Sequence, residues 1–95
     1  MAKETFEDYV GEQAADMVTM LGNHAEEKGG PGAWLDGNPL EWCRRAERQL
    51  RLLREAIYGR NLAQILTRTA HACNYAMMAS QAARSQNERL AADAR

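Results

Sequence analysis

Apolar residues recur every three or four positions in three stretches of the chain, which is the spacing of amphipathic helices. Polar residues fill the positions between them, so each helix is expected to bury one face. No stretch alternates apolar and polar residues as a strand does, and the pattern predicts an all-α fold of three to four helices. The expected apolar stripes are Phe6, Val10, Met17 and Leu21; Leu40, Cys43, Ala46, Leu50, Leu53 and Ile57; and Leu62, Ile65, Leu66, Ala70, Cys73 and Met77.

The first helix is expected to run from about Thr5 to His24, because Thr5 and Asp8 form a capping signal. Residues 25–38 follow with four of the seven glycines, a composition that does not sustain a helix, so they are predicted to form a loop. Trp34 is expected to hold this loop in place by burying its ring against the helices.

The second helix has clear signals at both ends. Asn38 can cap it, Pro39 suits the first helical position and Gly59 is a natural stop. Asn61 can then cap a third helix. From Ser80 onward the chain stays helix-friendly but turns polar, which predicts either a frayed extension or a short fourth helix, with residues 84–95 as the frayed or disordered tail.

Residues 1–95 are too few for more than one domain. About three residues join helices two and three, which predicts an antiparallel hairpin. One hairpin and one helix leave much apolar surface uncovered in a chain of this size. We therefore expect a homodimer in which two hairpins form a four-helix core.

The net charge of −1 disfavours attraction to nucleic acid or to an anionic membrane. The charges are unevenly distributed, because residues 1–27 sum to −6 and residues 39–60 to +3. Arg44, Arg48 and Arg51 share one face of the second helix. They either pair with the acidic first helix or bind phosphates or an acidic protein surface.

The N-terminus is acidic rather than basic and apolar, and no apolar run approaches the ~20 residues of a membrane span. A cytoplasmic protein is expected on these grounds. Cys43 and Cys73 are then expected to be reduced and buried. The alternatives are a disulfide between them or a metal site that includes His24 and His71.

The chain also resembles a known family in three motifs that occur in order. These are "EKGG" followed by a tryptophan and "PLEW", then "LREAIYGRN", and then "ILTRTAHACNYAMMAS". They resemble the small MazG-like all-α nucleoside triphosphate pyrophosphohydrolases, many of which are carried by bacteriophages. The resemblance covers roughly residues 20–82.

Enzymes of that family hold Mg²⁺ with four carboxylates, as a Glu-x-x-Glu pair on the second helix and a Glu and an Asp three residues apart on the third. The resemblance places these positions at Gln49, Leu52, Arg68 and His71, and none of them is a carboxylate. It therefore implies a scaffold without metal, cofactor or catalytic residues, and a protein that is not an enzyme.

A pocket of the same shape with different chemistry is a further implication of the resemblance. Gln49, Arg68, His71 and Asn74 would line this ligand pocket, where an anion or a nucleotide would replace the metal. Asn74 has an alternative role as a buried amide that is hydrogen-bonded across the dimer seam.

The leading functional hypothesis is a catalytically inactive helical binding protein, a phage-type inhibitor of a host protein or defence complex of the anti-CRISPR type, which would act in the host cytoplasm. The partner would present an acidic surface. The alternative is a nucleotide-binding module or sponge, followed by a residual enzyme and, last, direct binding of nucleic acid. Trp42 is either a second-layer core residue or an exposed anchor. The expected partner-binding residues are Arg44, Arg48, Arg51, Trp42 and Trp34.

Overall fold

The structure is a computed structural model that describes Lys3, residues 5–24 and residues 30–93. Within these residues the chain forms three α-helices and one short 3₁₀ helix, with no strand. The all-α prediction is confirmed. In chain order the elements are α1 (Phe6–Asn23), the 3₁₀ helix (Ala33–Asp36), α2 (Pro39–Tyr58) and α3 (Leu62–Asp93).

The starts of all three α-helices are the predicted ones. The Thr5 hydroxyl accepts the backbone N–H of Asp8 at 3.1 Å, and the Asp8 carboxylate accepts the N–H of Thr5 at 3.1 Å, which completes a capping box. Asn38 and Asn61 each accept a backbone N–H from the first turn of the following helix, at 3.0 and 3.2 Å. Side-chain capping, which depends only on neighbouring residues, thus sets these boundaries.

α2 ends at Tyr58 with Gly59 as its C-cap residue, as predicted. Gly59 has φ −79°, however, and the left-handed conformation is taken by Arg60, with φ 53°. The N–H groups of Arg60 and Asn61 bond to the carbonyls of Ile57 and Ala56, both at 3.1 Å, which is a Schellman motif. The strained position is therefore occupied by arginine, although glycine is available one residue earlier.

Replacing Arg60 with glycine is expected to raise the free energy of unfolding by about 1 kcal/mol, because glycine adopts the left-handed conformation without steric cost. Urea denaturation measures this change. The control is Arg60→Ala, which removes the same side chain but keeps the Cβ, and it should remain within about 0.5 kcal/mol of wild type. Equal stabilities of the two variants would contradict the explanation.

α3 is the central helix, since α1, α2 and the 3₁₀ helix all pack against it. The buried positions are mostly small, so the neighbouring helices can approach α3 closely. Among the described side chains, Met78 is the only large one that is fully buried. The buried residues are Ala46, Ala56, Ala70, Ala72, Asn74, Met78 and Ala82.

The stripe predicted to be the bundle seam of α2 is only partly buried. Ala46 lies in the interior and Leu53 is half-buried, but Leu50 and Ile57 are exposed. Two neighbouring rows of residues along α2 both recur every three or four positions. The predicted stripe combined residues of the two rows, because spacing alone does not distinguish them. The stripe with the lowest exposure is Trp42, Ala46, Gln49, Leu53 and Ala56, and the exposed predicted members are Leu40, Cys43, Leu50 and Ile57.

The apolar stripe predicted for α3 is also only partly buried, because its members Leu62 and Leu66 are exposed. Cys43 and Cys73 were expected to be buried, yet Cys43 is exposed and Cys73 is half-buried, and both are free thiols. They lie away from the residues that meet between α2 and α3, so packing within one chain does not cover them.

In the described part of the tail, α3 continues without a break to Asp93, so these residues do not start a separate fourth helix. Gln86 donates to the carbonyls of Leu35 and Gly37, at 3.2 and 2.8 Å. These contacts fasten the polar end of α3 to the segment around the 3₁₀ helix. Residues 25–29 of the predicted loop and residues 94–95 of the tail lie outside the described residues.

α3 has 32 residues, which is more than a membrane span requires. Its polar and charged residues are distributed along its whole length. In the part of the chain that the structure describes, no helix combines the length and the apolar character needed to cross a membrane.

Candidate anion-binding groove

A groove of about 520 Å³ runs along α2, on a different side of the helix from the exposed Leu50. Its basic residues recur at the spacing of one helical face, and the start of α2 at Asn38 and Pro39 sets the orientation of that face. We call this surface the arginine groove. Its lining residues are Glu41, Arg44, Arg45, Arg48, Gln49, Arg51 and Tyr75.

The arginine groove carries more positive charge than its single carboxylate can balance. Glu41 lies 3.6 Å from Arg44 Nη1 and 3.4 Å from Arg45 Nε, so it partly neutralises both. Across residues 5–24 and 30–93, no ion pair involves Arg48 or Arg51. These two exposed guanidinium groups therefore have free donors for an anionic ligand.

The predicted pairing between the arginines and the acidic first helix is not observed. Among the described side chains, no ion pair joins α1 to Arg44, Arg48 or Arg51. α1 packs mainly against α3 rather than against α2, which separates the two sets of charges. In the described part of the chain, α1 thus does not compensate the charge of these arginines.

An aromatic stack forms one wall of the groove. The rings of Trp42 and Tyr75 are nearly parallel, with centroids 6.2 Å apart, and the Arg45 guanidinium lies 5.0 Å from the Trp42 centroid. The indole N–H of Trp42 donates to the carbonyl of Trp34 at 3.2 Å. Trp42 is therefore half-buried between its neighbours, which corresponds to the second-layer packing role and not to an exposed anchor.

Trp34 also uses its polar edge within the chain. Its indole N–H donates to Gln81 on α3 at 3.1 Å, and its ring is half-buried. The expectation that Trp34 holds the loop against the helices is confirmed. Because both tryptophans have packing roles, the arginines are the more accessible part of the predicted partner-binding set.

The four residues predicted to line a ligand pocket do not converge on one cavity. Gln49 lines the arginine groove, and its side-chain oxygen accepts from Arg68 Nη1 at 3.2 Å. The His71 ring lies 5.5 Å from that of His24, tilted by 56°. Arg68 and His71 thus hold helices together, beside the groove rather than in it.

Asn74 is 3% exposed and donates to the carbonyl of Met17 at 3.1 Å. The prediction of a buried amide is correct, but the seam is the one between α1 and α3 of the same chain, not a dimer seam. Its Oδ1 has no hydrogen-bond partner among the described residues. Asn74 therefore has a docking role for α1.

The residues at the four positions implied for metal binding do not fit Mg²⁺. The Arg68 guanidinium, which donates to Gln49, is positively charged and would repel a cation, and Leu52 has no ligand atom. Mg²⁺ requires oxygen ligands that carry negative charge. No group of three or more His, Cys, Asp or Glu side chains able to hold a metal occurs in the described part of the chain.

Sequence reasoning identified three arginines of the groove but missed Arg45, Glu41 and Tyr75. Arg45 and Glu41 had a usable signal, because positions 41, 45 and 48 share one helical face. Tyr75 had none, since it reaches the groove only through the packing of α3 against α2.

No family model, no curated protein and no solved structure matches this chain.

Proposed function

We propose that this chain is a catalytically inactive helical protein that binds an acidic surface of a partner protein through the arginine groove. The observation that carries the proposal is the pair of exposed guanidinium groups, Arg48 and Arg51, which have no ion-pair partner among the described residues. The family resemblance makes a phage-type inhibitor of a host protein or defence complex, such as an anti-CRISPR, the most concrete version.

Arginine suits this task because its planar guanidinium donates two parallel hydrogen bonds to one carboxylate. Arg48 and Arg51 are one helical turn apart, so two neighbouring carboxylates of a partner can be bound together. Glu41 restrains Arg44 and Arg45 at one end of the groove, which lowers the entropic cost of ordering them on binding. The positive potential of the groove would also speed association with an acidic surface.

The inactive part of the proposal rests on the contact between Arg68 and Gln49. Gln49 and Arg68 are two of the four residues at which the resemblance implies metal ligands, and Leu52, a third, has no ligand atom. A purified sample is accordingly expected to release no pyrophosphate from nucleoside triphosphates in the presence of Mg²⁺ or Mn²⁺.

A nucleotide is the second candidate ligand, and the dimensions of the groove favour it. A volume of about 520 Å³ lies within the ~300–1,000 Å³ of small-molecule sites. Arg48 and Arg51 would then hold phosphates, and Tyr75 would line the remainder of the site. The groove is nonetheless formed almost entirely by one helix, which favours an extended partner surface over an enclosed ligand.

The double variant Arg48→Ala/Arg51→Ala is expected to weaken capture of the partner from a bacterial lysate by at least 30-fold, since truncated central charge contacts often cost more than about 2 kcal/mol. Capture by wild type should also weaken as salt rises, because salt screens the attraction. Immobilised protein and quantitative mass spectrometry measure both effects.

The matched control is Arg60→Ala/Arg84→Ala, which removes the same charge outside the groove and should retain wild-type capture. If both double variants lost capture equally, the effect would come from the overall charge of the protein. That outcome would contradict specific binding through the arginine groove. Micromolar binding of a nucleoside triphosphate that disappears in Arg48→Ala/Arg51→Ala would favour the second candidate.

A further inference from the structure

One side of the α2–α3 hairpin is apolar and uncovered. In the antiparallel α2–α3 pair, each helix has a row of residues that contacts the other helix. The residues one position after these contact residues lie on the same side of the hairpin in both helices, because both helices are right-handed. Cys43 and Cys73 lie on this side, toward the far end of the hairpin. The other positions on α2 are Glu47, Leu50, Arg54 and Ile57, and on α3 they include Leu62 and Leu66. We call these six residues the open face.

The four aliphatic residues of the open face are exposed to an unusual degree. The exposed fractions are 53% for Leu50, 54% for Ile57, 67% for Leu62 and 49% for Leu66. α1 packs on the opposite side of α3, where Asn74 and His71 contact it. No described element of the chain covers the open face.

The whole molecule has more accessible surface and a larger radius of gyration than a compact protein of the same length. Its accessible surface is 7187 Å², whereas a compact protein of this length exposes about 5,500 Å². Its radius of gyration is 15.5 Å, against about 12 Å for a compact domain. The excess of the whole molecule, to which the exposed apolar side chains of α1 also contribute, is about twice the ~800 Å² that each partner buries in a standard interface, so it leaves room for an interface of that size on the open face.

The charges of the open face identify what covers it. Glu47 and Arg54 lie on either side of Leu50, and in the described residues neither forms an ion pair. Two α2 helices can be placed antiparallel, with their open faces in contact and a twofold axis at Leu50. Glu47 of each copy then lies opposite Arg54 of the other, and the two Leu50 side chains face each other. Opposite charges on the two sides of an apolar centre thus make the open face complementary to itself.

We infer that the open face binds a second copy of this chain, with the two α2 helices antiparallel about a twofold axis near Leu50. In this dimer Leu66 lies near the axis on α3, and Leu62 approaches Cys73 of the other copy. The arginine grooves lie on other faces of α2 and remain open. The inference therefore stands independently of the proposed function.

Sedimentation of the purified chain tests this directly. Wild type is expected at twice the monomer mass at micromolar concentration, and each single reversal, Glu47→Arg or Arg54→Glu, should raise the dimer dissociation constant at least tenfold. The double variant Glu47→Arg/Arg54→Glu should return to within threefold of wild type, because it restores both pairs with reversed sign.

Glu55→Arg is the control, since it makes the same charge change on another face of α2 and should leave the dissociation constant unchanged. Circular dichroism confirms the helical content of each variant. A monomeric wild type, or a dimer whose double variant is no better than the single ones, would overturn the arrangement. Neither result depends on a partner protein, so this test and that of the proposed function can fail separately.

Discussion

Replacing Met78 with alanine is expected to lower the free energy of unfolding by about 2–4 kcal/mol. Met78 is 1% exposed and is the only large side chain in the described part of the chain that is fully buried. The surrounding interior consists mainly of alanines, whose short side chains cannot move to fill the vacated space. Urea denaturation followed by far-UV circular dichroism gives the difference.

The neighbouring methionine provides the control. Met77 is only half-buried, so Met77→Ala should cost about 1 kcal/mol or less. Both variants lose the same atoms from the same helix, and they differ only in burial. Equal losses would show that helix propensity, not packing around Met78, dominates.

Replacing Gly37 with alanine is expected to destabilise the fold by about 1–3 kcal/mol. A Cβ at this position would lie 2.7 Å from Trp42 Nε1 and 2.9 Å from two ring carbons. The ring cannot easily move away, because it is stacked on Tyr75 and bonded to the Trp34 carbonyl. Thermal unfolding monitored by tryptophan fluorescence reports both the stability and the ring environment.

The same substitution at Gly11 should have the opposite sign. Gly11 lies inside α1, and no atom beyond its helix backbone and chain neighbours lies within 4 Å of its Cβ position. Alanine is favoured over glycine there by roughly 0.5–1 kcal/mol. A Gly37→Ala protein as stable as wild type would mean that Trp42 is not held as described.

The starts of the helices were predictable because their signals are local. Thr5, Asn38 and Asn61 cap the residues that immediately follow them, so no tertiary contact is needed to place the boundaries. The left-handed residue was less predictable. A glycine is the expected choice for that conformation, but the chain places Arg60 there.

The orientation of the helices was harder to predict. Two adjacent stripes of α2 share the same spacing, and the sequence favours the more apolar one. The structure turns the other stripe inward, because Gln49 and Trp42 find hydrogen-bond partners across the helices in Arg68 and Trp34. Such pairings join residues of different helices, 8 and 19 positions apart, so the periodicity within α2 does not reveal them.

The arginine groove could be predicted only in part, because it also depends on how the helices pack. Three arginines at helical spacing are visible in the sequence, but the question whether α1 neutralises them depends on where α1 packs. The end of α3 is similar, since its order depends on contacts between Gln86 and residues around the 3₁₀ helix.

The central position of α3 has a consequence for the order of folding. The α2–α3 hairpin forms from neighbouring residues, but Asn74 and Met17 are separated by 57 positions and Arg89 and Asp36 by 53. Closing such long loops is entropically costly before the contacts form, so we expect the hairpin to form first and α1 to dock onto it afterwards. We also expect α1 to detach from α3 in the native state at a lower free energy than the hairpin opens.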